Sequence, residues 1–187
     1  NGLTSLSQGS FSGTIVEELD LTWNLFTTWN EFWIYPLTFT LKNLNLGHNR
    51  ISNLSPSSFN SAWGVEELRL TDNPLQNLSP DIFRPLVNLQ TLYMADCHLT
   101  EIIPVWFAGK PALRILELDN NNIRDLPVNV FDVSTLVHIG LVSNSLRTVD
   151  ILSFGASLNS LSNIDFRNNQ IEAIDEAFFN NATALFS

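Results

Sequence analysis

The chain has 187 residues, 44% of them hydrophobic and 15% charged, a balance that excludes a disordered segment, because disordered chains combine low hydrophobicity with high net charge. Nineteen acidic residues against nine basic ones give a formal charge of -10, and no Lys/Arg cluster offsets it locally, which sets the surface against nucleic-acid phosphates. No run approaches the 18 or more apolar residues of a membrane span, the start Asn1-Gly2-Leu3-Thr4 lacks a signal-type basic-then-apolar pattern, and a single cysteine, Cys97, leaves no internal disulfide or thiolate metal cluster.

In chain order, the first element is the tail of a repeat. Asn1, Leu3, Leu6 and Phe11 fall at the ninth, eleventh, fourteenth and nineteenth places of a unit whose frame is complete only from Val16 onward. The frame is L-x-x-L-x-L-x-x-N-x-L, with a further leucine and then phenylalanine downstream. It starts at Val16, Leu41, Val65, Leu89, Leu113, Leu136 and Leu161, with spacings of 25, 24, 24, 24, 23 and 25 residues. Leu113 to Ile123 follow it without a departure.

Four columns carry the repeat. The fourth place reads Leu19, Leu44, Leu68, Leu92, Leu116, Ile139 and Ile164, and the sixth reads Leu21, Leu46, Leu70, Met94, Leu118, Leu141 and Phe166. The ninth reads Asn24, Asn49, Asn73, Cys97, Asn121, Asn144 and Asn169. The nineteenth reads Ile34, Phe59, Phe83, Phe107, Phe131, Phe154 and Phe179. Leu185 opens another unit, so one domain is expected over 1–187: a partial repeat at 1–15, seven full repeats and a partial repeat at 185–187, an uncapped piece of a longer array.

Alternation of the fourth and sixth places has strand period, so each unit predicts one short strand whose third, fifth and seventh residues face outward. A lone unit cannot cover its own apolar side, and neighbours are expected to stack into a parallel sheet. The ninth-place amides are expected to satisfy the turn that leaves each strand, with Cys97 as a small buried substitute in that ladder. Segments such as Ser79-Pro80-Asp81-Ile82-Phe83 suit short helical turns, and the phenylalanine column should close the core.

The first full unit departs from the pattern, with Trp29, Phe32, Trp33 and Tyr35 crowded into one turn. Either these aromatics replace the missing Leu and Phe in the core, or they form an exposed interface.

These columns resemble the leucine-rich-repeat family, in its extracellular 24-residue subclass with a late phenylalanine, as in Toll-like receptor ectodomains, Slit, chaoptin-like adhesion proteins and insect leucine-rich immune proteins. The resemblance implies an α/β fold: a curved right-handed solenoid with a parallel β-sheet on the concave face and short helical or 3-10 turns and loops on the convex one. It also implies an extracellular setting, secreted or as the ectodomain of a surface protein, and binding rather than catalysis, with innate-immune recognition as the concrete expectation. The alternative is an adhesion or spacer segment.

Nothing in the sequence argues for an enzyme or a cofactor. His48, His98 and His138 fall at unrelated places, and there is no H-E-x-x-H, phosphate loop or G-x-S-x-G elbow. The outward columns nominate a protein-binding face of Glu18, Asp20, Trp23, Glu67, Arg69, Asp72, Tyr93, Asp96, Glu117, Asp119, Asp165 and Arg167, because aromatic residues and Arg concentrate interface energy. The expected partner is a protein or glycan, and not nucleic acid. Self-association through the aromatic turn or the concave face is a second expectation. Sequons at Asn53, Asn77 and Asn181 are candidate glycosylation sites, but 22 asparagines with 31 serines and threonines give about three to four sequons by chance under the sequon rule.

Overall fold

A computed structural model describes residues 1–75, 77–182 and 185, with the backbone alone of Phe179 and Asn181. Seven three-residue strands make one parallel sheet: β1 (Glu18–Asp20), β2 (Asn43–Asn45), β3 (Glu67–Arg69), β4 (Thr91–Tyr93), β5 (Ile115–Glu117), β6 (His138–Gly140) and β8 (Asn163–Asp165). Two short strands, β7 (Thr148–Val149) and β9 (Ala173–Ile174), pair separately. Register follows the repeat: Leu19, Leu44, Leu68, Leu92, Leu116, Ile139 and Ile164 are successive Cα partners. The chain is a leucine-rich-repeat solenoid, each strand covering the apolar side of the one before.

What ends each strand is a backbone reversal. Trp23, His48, Asp72, Asp96, Asn120, Ser143 and Asn168, all at the eighth place, adopt φ between 53° and 57°, the left-handed region that Asn, Asp and His tolerate and a bulky residue such as Trp rarely enters. The carbonyls left behind are taken up by the ninth-place amides. Asn121 donates to Met94 O, Leu118 O and Asp119 O at 2.9–3.1 Å and accepts from the Cys97 and Leu99 N–H groups. Asn49, Asn73, Asn144 and Asn169 repeat this pattern, and Asn24 accepts from Leu3 N–H.

Cys97 fills its rung only halfway. Its thiol donates to Leu70 O and Ala95 O at 3.3 and 3.4 Å, and burial pushes its pKa up to about 12, so it stays a protonated donor. Backbone N–H groups of Asn73 and Asp72 face the sulfur, but Leu75 N–H, whose counterparts reach an asparagine Oδ1, bonds instead to Asn73 O at 2.7 Å.

Phenylalanine rings run through the core. Phe59 lies 6.2 Å from Phe83, Phe107 lies 6.2 Å from Phe131, and Phe131 lies 5.4 Å from Phe154. Trp106 bridges the break between Phe83 and Phe107 edge-on, and its indole N–H donates to Ser79 O. At the end of the column Phe178 is buried against Phe154 at 4.9 Å. The turn here is an α-helix, α1 (Glu176–Asn181), capped by Asp175, and its i, i+4 pair Phe178 and Ala182 faces inward. The side chains of Phe179 and Asn181, and residues 186–187 of the expected last partial repeat, lie outside the described residues.

The other turns include 3-10 segments at Glu31–Trp33, Tyr35–Leu37, Pro104–Trp106, Ile151–Ser153 and Gly155–Asn159. Asn30 and Asp150 cap theirs by accepting Phe32 and Leu152 N–H. The aromatic turn divides between the two readings. Trp29 is buried at 3% exposure and packs edge-on to Phe26 and Trp33, and Trp33 is half-buried against the core, while Phe32 and Tyr35 stay exposed. Trp29 is therefore corrected from an interface candidate to core: Ile34, smaller than Phe, occupies the ring column here, and the indoles fill the remaining volume. Its Nε1 is the sole buried side-chain nitrogen or oxygen without a hydrogen-bond partner among the described residues.

Two stability measurements follow. Asn121→Ala should cost about 1–3 kcal/mol in denaturant unfolding, because it strands buried donors and acceptors. Trp33→Ser should cost about 2 kcal/mol, below the 3–5 of a fully buried aromatic because Trp33 is only partly covered.

A candidate recognition face on the sheet

The outward residues of β1 to β6 and β8 form one continuous face, and the nominated residues fall on it in three groups rather than one. In the centre, Arg69 lies across the Tyr93 ring, guanidinium carbon 4.0 Å from the centroid, and its Nε donates to Glu67 Oε1 at 2.6 Å. Cα register places Arg69 directly beside Tyr93, so the stack follows from β-pairing alone. On the β1 side, a shallow depression is lined by Glu18, Asp20, Asn43, Asn45, Glu67 and Arg69. Asn43 donates to Glu18, and the Thr22 hydroxyl and N–H hold the Asp20 carboxyl below its ordinary range.

The second group is acidic. Glu117 accepts from the His138 ring at 2.7 Å, and Asp119 accepts Val142 N–H at 2.8 Å. Burial pushes the Glu117 carboxyl up although His138 opposes it, and burial likewise raises Asp119 against the Val142 hydrogen bond. Gly140 makes this packing possible, since a Cβ there would collide with the Glu117 carboxylate and sit 2.8 Å from Asp119 Oδ1. Asp165 is held low by the Arg167 side chain, whose Nε donates to both of its oxygens at 2.9–3.0 Å.

The third group runs along the eighth-place edge. Trp23, exposed at 65%, stacks on His48 with centroids 4.1 Å apart and planes 6° from parallel, and His48 Nδ1 meets Asp72 Oδ2 at 2.8 Å. Farther along, Asn120 donates to Asp96 at 3.3 Å. Trp23 is thus separate from the Arg69–Tyr93 stack.

Sequence reasoning set the histidines aside because they share no ligand spacing. The signal that places them was column adjacency: His48 and Asp72 are both eighth-place residues of consecutive units, and His138 stands beside the fifth-place Glu117 of the unit before. Among the described residues no group of three His, Cys, Asp or Glu side chains could hold a metal ion. Of the sequons, Asn53 and Asn77 are exposed; the Asn181 side chain lies outside the described residues.

The raised carboxyls give a signed pH dependence. A folded-state pKa above the unfolded value means that ionisation opposes folding, so the penalty is present at neutral pH and vanishes as pH falls below the unfolded value of about 4.3 for Glu. Glu117→Gln, which keeps an acceptor for His138, should raise the melting temperature at pH 7 and lose that advantage by pH 4.

Comparison with known proteins agrees with this architecture. The chain is 26% identical to TLR13 in a solved TLR13–ssRNA13 complex, with a TM-score of 0.88 over 96% of this chain and 25% of that one. It is 26% identical to the leucine-rich repeat domain of APL1B, with a TM-score of 0.64 over 73% of this chain and 38% of that one. Over 74 residues it is 30% identical to leucine-rich repeat serine/threonine-protein kinase 1 of Caenorhabditis elegans, covering 40% of this chain and 3% of the kinase. The chain thus spans a small fraction of that curated relative and a quarter to about two fifths of the solved ones. A leucine-rich-repeat family model matches residues 39–99 and 88–146, more than half of the chain, which belongs to the leucine-rich-repeat family.

Proposed function

We propose that the sheet face is a protein-recognition surface of an extracellular leucine-rich-repeat protein, centred on Arg69 and Tyr93. The observation that carries the reading is the Arg69 side chain held between the Glu67 carboxylate and the Tyr93 ring on the middle strands. An arginine already ordered by its neighbours loses little rotamer entropy on docking and still presents free N–H donors, the behaviour expected of an interface anchor. Exposed Trp23, fixed by its stack on His48, offers a second anchor at the edge of the same face.

The similarity to TLR13 and the APL1B domain supports an innate-immune or receptor-ectodomain setting. The TLR13 structure holds a single-stranded RNA; the acid-rich face and the charge of -10 here favour a protein, or a glycan, over a nucleic-acid partner. No helix among the described residues is long and apolar enough to cross a membrane. The reading includes no catalytic step.

The test is a display screen of secreted and surface ectodomains against the immobilised chain, with each hit re-measured on variants. Arg69→Ala and Tyr93→Ala should each weaken a true partner by about 1–3 kcal/mol or more, and Val128→Ala, at an exposed position on the turn side, should not. Hits insensitive to Arg69, Tyr93 and Trp23 alike would assign the face to a spacer role.

A further inference from the structure

Away from the sheet face, beyond the asparagine ladder, a cleft of about 460 Å³ is lined by Arg124, Asp125, Ser145, Arg147 and Gln170. The two arginines occupy the twelfth place of consecutive repeats, and Ser145 and Gln170 the tenth place of consecutive repeats, so the repeat itself aims all four side chains the same way. Backbone bonds fix the rungs: Ser145 N–H donates to Ile123 O, Gln170 N–H to Leu146 O, and Glu172 N–H to Arg147 O. The paired strands β7 and β9 follow directly.

Among the described residues six ion pairs join Lys42, Arg69, Arg84, Arg167, His48 and His138 to carboxylates; Arg124 and Arg147, like Arg50, Arg114 and Lys110, take part in none of them. In a chain with nineteen acids and nine bases, two guanidiniums at the same place of consecutive repeats, neither in an ion pair among the described residues, bring positive charge to one cleft. Like charges at this spacing repel, and an anion held between them relieves the repulsion. Planar guanidinium forks match the oxygens of a tetrahedral oxyanion, and the Ser145 hydroxyl and Gln170 amide add neutral donors to the same wall. Among the described residues that line the cleft Asp125 is the carboxylate, and it limits the charge that the cleft can accept.

We propose that this cleft binds a single tetrahedral oxyanion, a sulfate or phosphate monoester group, through Arg124 and Arg147 with Ser145 and Gln170. A long polyanion is disfavoured, because the acid-rich surface around the cleft repels charge beyond the one group that the arginines hold. The site does not depend on the recognition reading of the sheet face, which lies on the other side of the ladder.

Inorganic sulfate and inorganic phosphate are the probes, titrated into the intact chain at constant ionic strength and followed by NMR of the arginine Nε–H and the Ser145 and Gln170 amide signals. Saturable shifts confined to these residues are expected. Arg124→Gln and Arg147→Gln should each weaken binding roughly tenfold or more, as loss of a charge-assisted fork implies; Asp125→Asn should tighten it, and Arg167→Gln on the sheet face should leave it unchanged. The sources separate by pH: inorganic phosphate gains affinity as its second proton leaves around neutral pH, whereas sulfate affinity stays flat. Sulfate binding tighter at pH 5 and matched by phosphate only above pH 7 would assign a general oxyanion site, and sulfate tighter throughout would assign a sulfate ester site. Shifts that fail to saturate at tens of millimolar, or that survive both arginine substitutions, would overturn the proposal.

Discussion

Each repeat must turn its chain out of the sheet while leaving no backbone group buried and unpaired, and the ninth-place amide is how the fold meets that constraint. The left-handed residue at the eighth place aims the strand-end carbonyls toward the interior, where water cannot reach them. An asparagine supplies two N–H donors to carbonyls of its own and the preceding repeat and one oxygen to N–H groups of the preceding one. Every rung therefore bonds across a repeat boundary, and the stacking distance, strand register and turn position are fixed together. Cys97 shows the limit of the device: a thiol still reaches the strand-end carbonyls, but the Leu75 N–H finds no side-chain oxygen and is satisfied by a tighter local turn.

Once the ladder fixes register, surface chemistry becomes a matter of columns. Residues at one place of successive units stand side by side, so like charges in a column are held close together and must be compensated from the neighbouring column. The sheet face does this repeatedly: Glu67 with Arg69, Glu117 with His138, Asp165 with Arg167. Where compensation is incomplete, at Glu117 and Asp119 beside Gly140, burial raises the carboxyls instead. A chain of charge -10 thus presents short-range pairs with ordered side chains rather than a uniform negative field.

The strand positions, the inward columns and the ladder were legible in the sequence because they depend on period, and period survives in every unit. The nineteenth column was legible as far as Phe154; beyond it a full α-helix, with Phe178 and Ala182 as an inward i, i+4 pair, stands where earlier units have 3-10 turns. In the aromatic turn, composition showed that large rings were present but not which way each pointed. That division depends on the volume left by Ile34, a tertiary quantity: Trp29 goes in, Trp33 lies half in, and Phe32 and Tyr35 stay out. Pairings between columns, such as Trp23 on His48 or His138 on Glu117, were encoded by adjacency of places, which requires reading across units rather than along them.

The same cross-unit reading bears on where recognition is written. Ladder and core places are constrained by buried hydrogen bonds and by ring packing, so their identities carry fold and little else. The outward third, fifth, seventh and eighth places, and the tenth and twelfth beyond the ladder, are constrained only by their column neighbours and are free to vary. Arg69 meets Tyr93 because two consecutive fifth places were filled by complementary residues, and Arg124 and Arg147 line one cleft because two consecutive twelfth places were filled by the same one. The first arrangement satisfies itself and orders a side chain for a partner, whereas the second leaves positive charge unsatisfied and selects for an anion. A solenoid with one invariant interior can therefore hold sites of opposite electrostatic character on its two sides of the ladder, each specified by a few residues that the fold does not need.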